Sequence, residues 1–261
     1  MSDLAPNVEN YLLGRGVLYF AQFNDEGIAD KGELDLGNCS EFKLNLGTDK
    51  LAHYSKRSGL KTKDKEVVQQ LNASGAFTID EYSKENLCIA LYGELVKLAS
   101  TAGNVTGEQI AVQKGRWFKL QHRVVSNVVV TGYVANVDYR VDAITGRIYV
   151  IPTGHIEDGE ELDIDYSYAQ INYNTIQAFK KSSVRGYLRF IGDPGAGPAY
   201  EAEIWTCSLA TNGDIPWLAD DWGSINIDIS IDKDQTGHPT NPFFHVIDLE
   251  ADYGVLGTTT S

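Results

Sequence analysis

The sequence predicts a mainly β protein: a β-sandwich or barrel with one flanking α-helix, a long projecting loop and a small all-β insertion. Three observations predict it. Tyr (14) and Gly (25) are plentiful, Met occurs once, and Thr, Val and Ile recur in short runs, which suits strands and tight turns. Many of those runs alternate apolar with polar residues, whereas only one segment has a helical period. The length of 261 residues suggests one large domain, or a domain with an insertion, able to bury a core without disulfides. Cys39, Cys88 and Cys207 are odd in number and far apart, so no disulfide framework or zinc motif fits them.

In chain order, residues 1–16 read as a polar arm with Pro6, Gly14 and Gly16. "VLYFAQF" from Val17 reads as a strand, followed by the turn-rich "NDEGIADKGE". "EFKLNLG" places Phe42, Leu44 and Leu46 on one strand face. A charged stretch over 48–66 follows, and "EVVQQLNASGAFTID" resumes strand character. The helix is expected over 80–98, where Leu87, Ala90, Leu91, Leu95 and Leu98 share a face and Asp80 or Ser83 can cap the start. "TAGNVTGEQIAVQKG", 101–115, is rich in small residues and reads as a boundary. "WFKLQHRVVSNVVVT", "YVANVDYRV", "RIYVI" and "ELDIDYSYA" then form a β block, with "DAITG" as a hairpin loop. The expected organisation is therefore a core of 1–100 and 173–261 interrupted by an insertion at 101–172. In the second half of the core, "QAFKKSSVRGYLRFIG" and "AYEAEIWTCSLA" flank the turn "DPGAGP", and "SINIDISID" and "PFFHVIDLEA" read as the last strands. "GTTTS" reads as a loose tail.

Tests for chemistry return little. Glu157, Asp158, Glu160, Glu161, Asp163 and Asp165 could supply the carboxylate pair of a glycosidase, but Asp163 and Asp165 share a strand face, which suits a solvated edge better. "DKDQTG" at 232–237 starts like an EF-hand loop, yet its twelfth position is Phe243. The five histidines make no metal motif, and no G-x-S-x-G is present. No catalytic residue, metal or cofactor is expected. The N-terminus has no basic start or apolar core of an export signal, and no window is long and apolar enough to span a membrane.

Charge is more informative. The chain carries −14, which opposes adhesion to nucleic acid. Residues 48–66 hold six basic side chains against three acidic ones, a net +3 that leaves −17 elsewhere. The bland reading is a solvated loop. A structureless loop of about 20 residues is uncommon in a compact domain unless it is functional. Lying between two strand-like runs, the stretch can instead be an extended hairpin. A basic projection on an acidic body fits another copy of the same chain, and a contact between unlike surfaces propagates. Lys50, His53, Tyr54, Lys56, Arg57, Lys61, Lys63 and Lys65 are the candidate contact residues.

Three stretches carry a resemblance: "GRGVLYFAQFNDEGIADKGELDLGNCSEFKLNL", "KLAHYSKRSGLKTKDKEVVQQLNASGAFTIDEYSKENLCIALYG" and "VRGYLRFIGDPGAGPAYEAEIWTCSLATNGDIPWLADDWGSINIDISI". In that order they resemble the major tail tube protein of long-tailed bacteriophages over most of 14–100 and 184–231. The resemblance implies a β-sandwich or barrel whose six copies form a ring with a continuous β-lined channel. Rings stack through a long loop, here 48–66, and through arms, here 1–16, with 80–98 as the flanking helix. It also implies partners: further copies of the chain, tape-measure and tail-terminator or initiator proteins, and DNA that passes a negative lumen without specific binding. The location would be the virion tail, after synthesis in the host cytoplasm. The insertion resembles small β modules of phage structural proteins and would decorate the tube. Two other readings stay open: a carbohydrate- or cell-surface-binding module using Trp117, Tyr133, Tyr139, Tyr149, Tyr166 and Tyr168, and, less favoured, a glycoside hydrolase.

Overall fold

A computed structural model describes residues 8–57 and 59–249. The protein is mainly β, with several antiparallel sheets and one short α-helix. It divides into two compact units, 1–95 with 176–261, and 96–175.

The first unit begins with β1 (Gly16–Gln22) and the short β2 (Leu34–Asp35), then β3 (Cys39–Ser55), β4 (Thr62–Ile79) and α1 (Lys84–Ala90). The chain leaves through β5 (Glu94–Ser100). The second unit contains β6 (Gly103–Ala111), β7 (Trp117–Lys119), β8 (Val125–Val130), β9 (Tyr139–Asp142), β10 (Arg147–Val150) and β11 (Glu161–Tyr168). β12 (Ile171–Gln177) pairs with β5 and brings the chain back to β13 (Val184–Gly192), β14 (Tyr200–Thr211), β15 (Ile225–Ile231) and β16 (Phe244–Asp248).

The main sheet runs β2-β1-β13-β14-β15-β4-β3, with β16 also paired to β14. Inward alternation is clearest on β15, where Ile225, Ile227, Ile229 and Ile231 are buried and Asn226, Asp228 and Ser230 are exposed. These isoleucines join Leu18, Phe20, Phe77, Ile79, Leu188, Ile204 and Leu209 in one core. The sheet curls enough for Phe42 of β3 to meet Phe190 of β13, with ring centroids 5.3 Å apart. Of the expected sandwich or barrel, a closed barrel is not formed: among the described residues β2 and β3 remain edges.

The helix is shorter than the expected 80–98. Ser83 caps it, its hydroxyl accepting from the Asn86 amide at 3.1 Å. It stops in a Schellman turn, in which the Gly93 amide donates to Cys88 O at 2.7 Å and the Tyr92 amide to Ile89 O. Tyr92 takes the left-handed position with φ 50°. Leu95 and Leu98 therefore lie on β5, and their helical spacing with Leu87 and Leu91 is coincidental. Ile89 and Ala90 face the core, while the Asn86 side chain donates to Leu36 O and Glu81 O.

The second unit has its own core, built by the sheets β7-β10-β9 and β6-β11-β8. The expected boundary 101–115 is mostly strand, because β6 pairs with β11 from Gly103↔Tyr168 to Ala111↔Glu161. The "DAITG" loop joins β9 to β10, with Asp142 opposite Arg147. Asp138 is buried at 2% exposure, and its carboxylate accepts from the amides of Val134 and His155 and contacts His155 Nδ1, each at 2.8 Å. Those amide bonds hold its pKa below the ordinary carboxylate range.

Candidate functional site

The charged stretch is the outer half of the β3–β4 hairpin. Pairing continues from Cys39↔Ile79 to Ser55↔Thr62, so only 56–61 form the turn. The expected projecting hairpin is present, and the loop over 48–66 is corrected to paired strand around a short tip. Sequence periodicity hid this because neither face is covered beyond the core. β15 stops pairing with β4 at Ser230↔Ser74, so among the described residues the ribbon from Thr62 to Ala73 has β3 as its strand partner and a free edge beyond. Register shifts after Asp49 and His53 mark bulges, which increase local twist.

Two cross-strand contacts support the register: Lys50 Nζ lies 3.1 Å from Glu66, and His53 Nδ1 lies 2.6 Å from Asp64. Lys63 also meets Glu66, three residues along the same strand. Asn72 Nδ2 donates to Asp49 at 3.0 Å. Exposed pairs of this kind contribute about 0–1 kcal/mol each, against about 1–2 kcal/mol per residue of backbone ordering. The outer ribbon is thus weakly self-supporting, as two-stranded hairpins are in water.

All eight candidate residues gather on this outer ribbon. Lys50, His53 and Tyr54 sit on β3, Lys63 and Lys65 on β4, and Lys56, Arg57 and Lys61 in the tip. Lys50 and Lys63 share the single Glu66 carboxylate within the hairpin. No ion pair among the described residues engages Lys56, Arg57, Lys61 or Lys65, so these four keep charge for a partner.

Sequence reasoning missed the hairpin's apolar surface. The β3 face that carries Phe42 and Leu44 into the core continues outward as Leu46, 65% exposed, and Leu71 near it on β4 is 61% exposed. Leu51, Val67 and Val68 are also exposed. Leu46, Val67, Val68 and Leu71 lie just outside 48–66, and a hydrophobic count over 46–71 would have found them. Also missed was the loop 212–224 between β14 and β15, which exposes Trp217, Leu218 and Trp222. The run "PWLADDW" was its signal.

The other candidates dissolve into structural roles. Glu160 accepts from Tyr133 Oη and from the Glu157 amide, Asp158 from the Lys114 amide, and Asp165 from the Gly107 amide. Asp234 caps its own turn through the Gly237 amide and contacts His238 at 2.8 Å. Of the six aromatics, Tyr139 and Tyr166 are core, Tyr168 stacks on His122 at 3.7 Å, and Tyr133 is held by Glu160. Only Trp117 and Tyr149 stand together, 5.2 Å apart, with Arg147 over Trp117 at 5.1 Å. A denser polar cluster lies on β13, β14 and β16: Arg189 bridges Glu33, Glu201 and Glu203, while Tyr187 Oη donates to Glu203 at 2.5 Å and His245 Nε2 lies 2.6 Å from it. Burial pushes the Cys207 thiol up to about 12, so it is inert. Among the described residues no group of three or more His, Cys, Asp or Glu is placed to hold a metal, and no helix is long and apolar enough to cross a membrane.

Over residues 11–245 the chain matches the family described as protein of unknown function UCP028589. The chain belongs to that family. The match runs through both units and includes the whole β3–β4 hairpin. No curated protein matches the chain.

Proposed function

We propose that the protein is a structural tail tube subunit without catalytic activity. Six copies would form a ring, rings would stack through the β3–β4 hairpin, and the stack would line a channel for DNA in a phage virion, after synthesis in the host cytoplasm. Tape-measure, terminator and initiator proteins would cap and gauge the tube. The observation that carries this reading is the hairpin itself: a ribbon reaching beyond its core, with exposed leucines and four uncommitted cations, on a chain of net charge −14. Such a ribbon is a poor feature for an isolated monomer, because apolar groups and free strand edges invite association. It suits a molecule that completes its fold on a neighbour. The acidic balance suits a lumen that repels phosphate. The second unit, with its own core and with entry and exit strands paired as β5 and β12, fits the role of an added surface module. A tail-tube sandwich remains the finer fold assignment within this proposal.

Electron microscopy of the concentrated protein tests the proposal. Rings and tubes are the expected result. Persistent monomers at every concentration, with initiator and tape-measure proteins supplied, would overturn it.

The pair Trp117 and Tyr149 favours one second reading, a carbohydrate-binding surface on the second unit. Glycan binding by the full chain that vanishes in Trp117→Ala would support it; no glycan binding would remove it.

A further inference from the structure

The hairpin needs a receptor, and the main sheet places one surface at its opposite end. β4 runs from the hairpin tip at Thr62 to Ile79, where it pairs with Ile225, the first residue of β15. The loop 212–224 leads directly into Ile225. Tip and loop therefore leave the same sheet at opposite ends of β4.

The loop exposes Leu218 at 97%, Trp222 at 95% and Trp217 at 67%. It is anchored at its base. Tyr82 Oη is placed to donate to Pro216 O at 3.3 Å or Ser224 O at 3.4 Å, the Tyr82 ring meets Trp217 edge-on, and Ile215 packs on the core. The indoles are thus presented from a fixed base. The loop carries Asp214, Asp220 and Asp221 and no basic residue, whereas the tip, 56–61, carries Lys56, Arg57 and Lys61 and no acidic one.

We infer that the loop 212–224 of one copy is the docking surface for the β3–β4 tip of a second copy. The inference rests on the stacking role proposed above and names its receptor. Lys56, Arg57 and Lys61 would meet Asp214, Asp220 and Asp221, while Trp217 and Trp222 offer faces to the guanidinium and ammonium groups and to the ribbon's exposed leucines. Because the two surfaces differ and lie at opposite ends of one sheet, the contact is heterologous and extends without closing on itself. Two indoles and a leucine against a ribbon bury less than the roughly 1,200 Å² total of a stable pairwise interface. A single contact is therefore weak, and repetition around a ring supplies the avidity.

The test uses three full-length variants in a polymerisation assay by light scattering and microscopy. Trp222→Ala, at an almost fully exposed position, should leave the monomer's melting unchanged and raise the critical concentration by about 30-fold, as loss of a binding hot spot does. A tip-reversed variant (Lys56→Glu, Arg57→Glu, Lys61→Glu) and a loop-reversed variant (Asp214→Lys, Asp220→Lys, Asp221→Lys) should each fail to assemble alone. Mixed one to one they should co-assemble, because each tip then finds a loop of opposite charge. If the wild type assembles and both the Trp222→Ala and the loop-reversed variants do so at the wild-type concentration, the receptor is elsewhere while the tail tube reading stands. If both reversed variants fail alone and their mixture fails too, the tip–loop pairing is likewise overturned. A wild type that never assembles removes the tail tube reading itself.

Discussion

Glu203 illustrates how little a carboxylate's identity says before its neighbours are known. Burial would raise its pKa, but hydrogen bonds from Tyr187 and His245 and the Arg189 charge outweigh that and hold it below its ordinary 4.5. A carboxylate held low in the folded state adds stability that is present above the ordinary pKa and lost as pH falls through the depressed one. Glu203→Gln should therefore lower the melting temperature at pH 7 and flatten its fall below pH 4.5; an unchanged acid limb in a pH series of melts would contradict this. Gly146 makes a different residue-scale demand. It sits at φ +64°, and a Cβ there would stand 1.9 Å from His122 O. Gly146→Ala should cost the second unit about 1 kcal/mol or more, read as faster hydrogen exchange at neighbours such as Leu120. Neither constraint is visible in the sequence, because each depends on a group distant along the chain or on a backbone angle.

Among the elements, β15 was the easiest to read and α1 the most misleading, for one reason. β15 is an inner strand whose alternation follows burial on one side. α1 ends where a left-handed Tyr92 and Gly93 turn the chain, and no periodic count registers a turn of that kind. The β3–β4 ribbon was legible as charge and as a hairpin between strands, but its length was not, because an uncovered ribbon has no face to pattern. At this scale the prediction concerns charge. Lys56→Glu with Lys61→Glu should abolish stacking and leave the circular dichroism spectrum unchanged, since neither lysine has an ion-pair partner among the described residues. Normal polymers from that variant at low salt would show that the tip's charge is irrelevant to assembly.

The whole molecule is a −14 polyanion with a positive tip, so assembly should depend on salt. Screening shortens to about 10 Å at 0.1 M ionic strength and about 3 Å at 1 M. Scattering should thus show assembly weakening as salt rises, leaving a residual set by the exposed leucines and indoles. Replacing 101–170 with a short Gly-Ser linker should leave the first unit folded and assembling, because its core contains no residue of the second. Loss of folding in that deletion would mean that the units depend on each other for stability.

By itself the sequence determined the β class, the absence of a disulfide framework, and the opposition of charge between 48–66 and the rest. These follow from composition and local pattern, which need no knowledge of distant neighbours. Tertiary structure alone decided that the helix is seven residues long, that the barrel stays open, and that Glu203, Asp138, Asp158, Glu160 and Asp165 are held in structural networks. It alone placed the aromatic, acidic loop 212–224 at the far end of the strand whose other end bears the basic tip. Which surfaces oppose one another depends on strand order and register, and those are set by packing between residues more than a hundred positions apart.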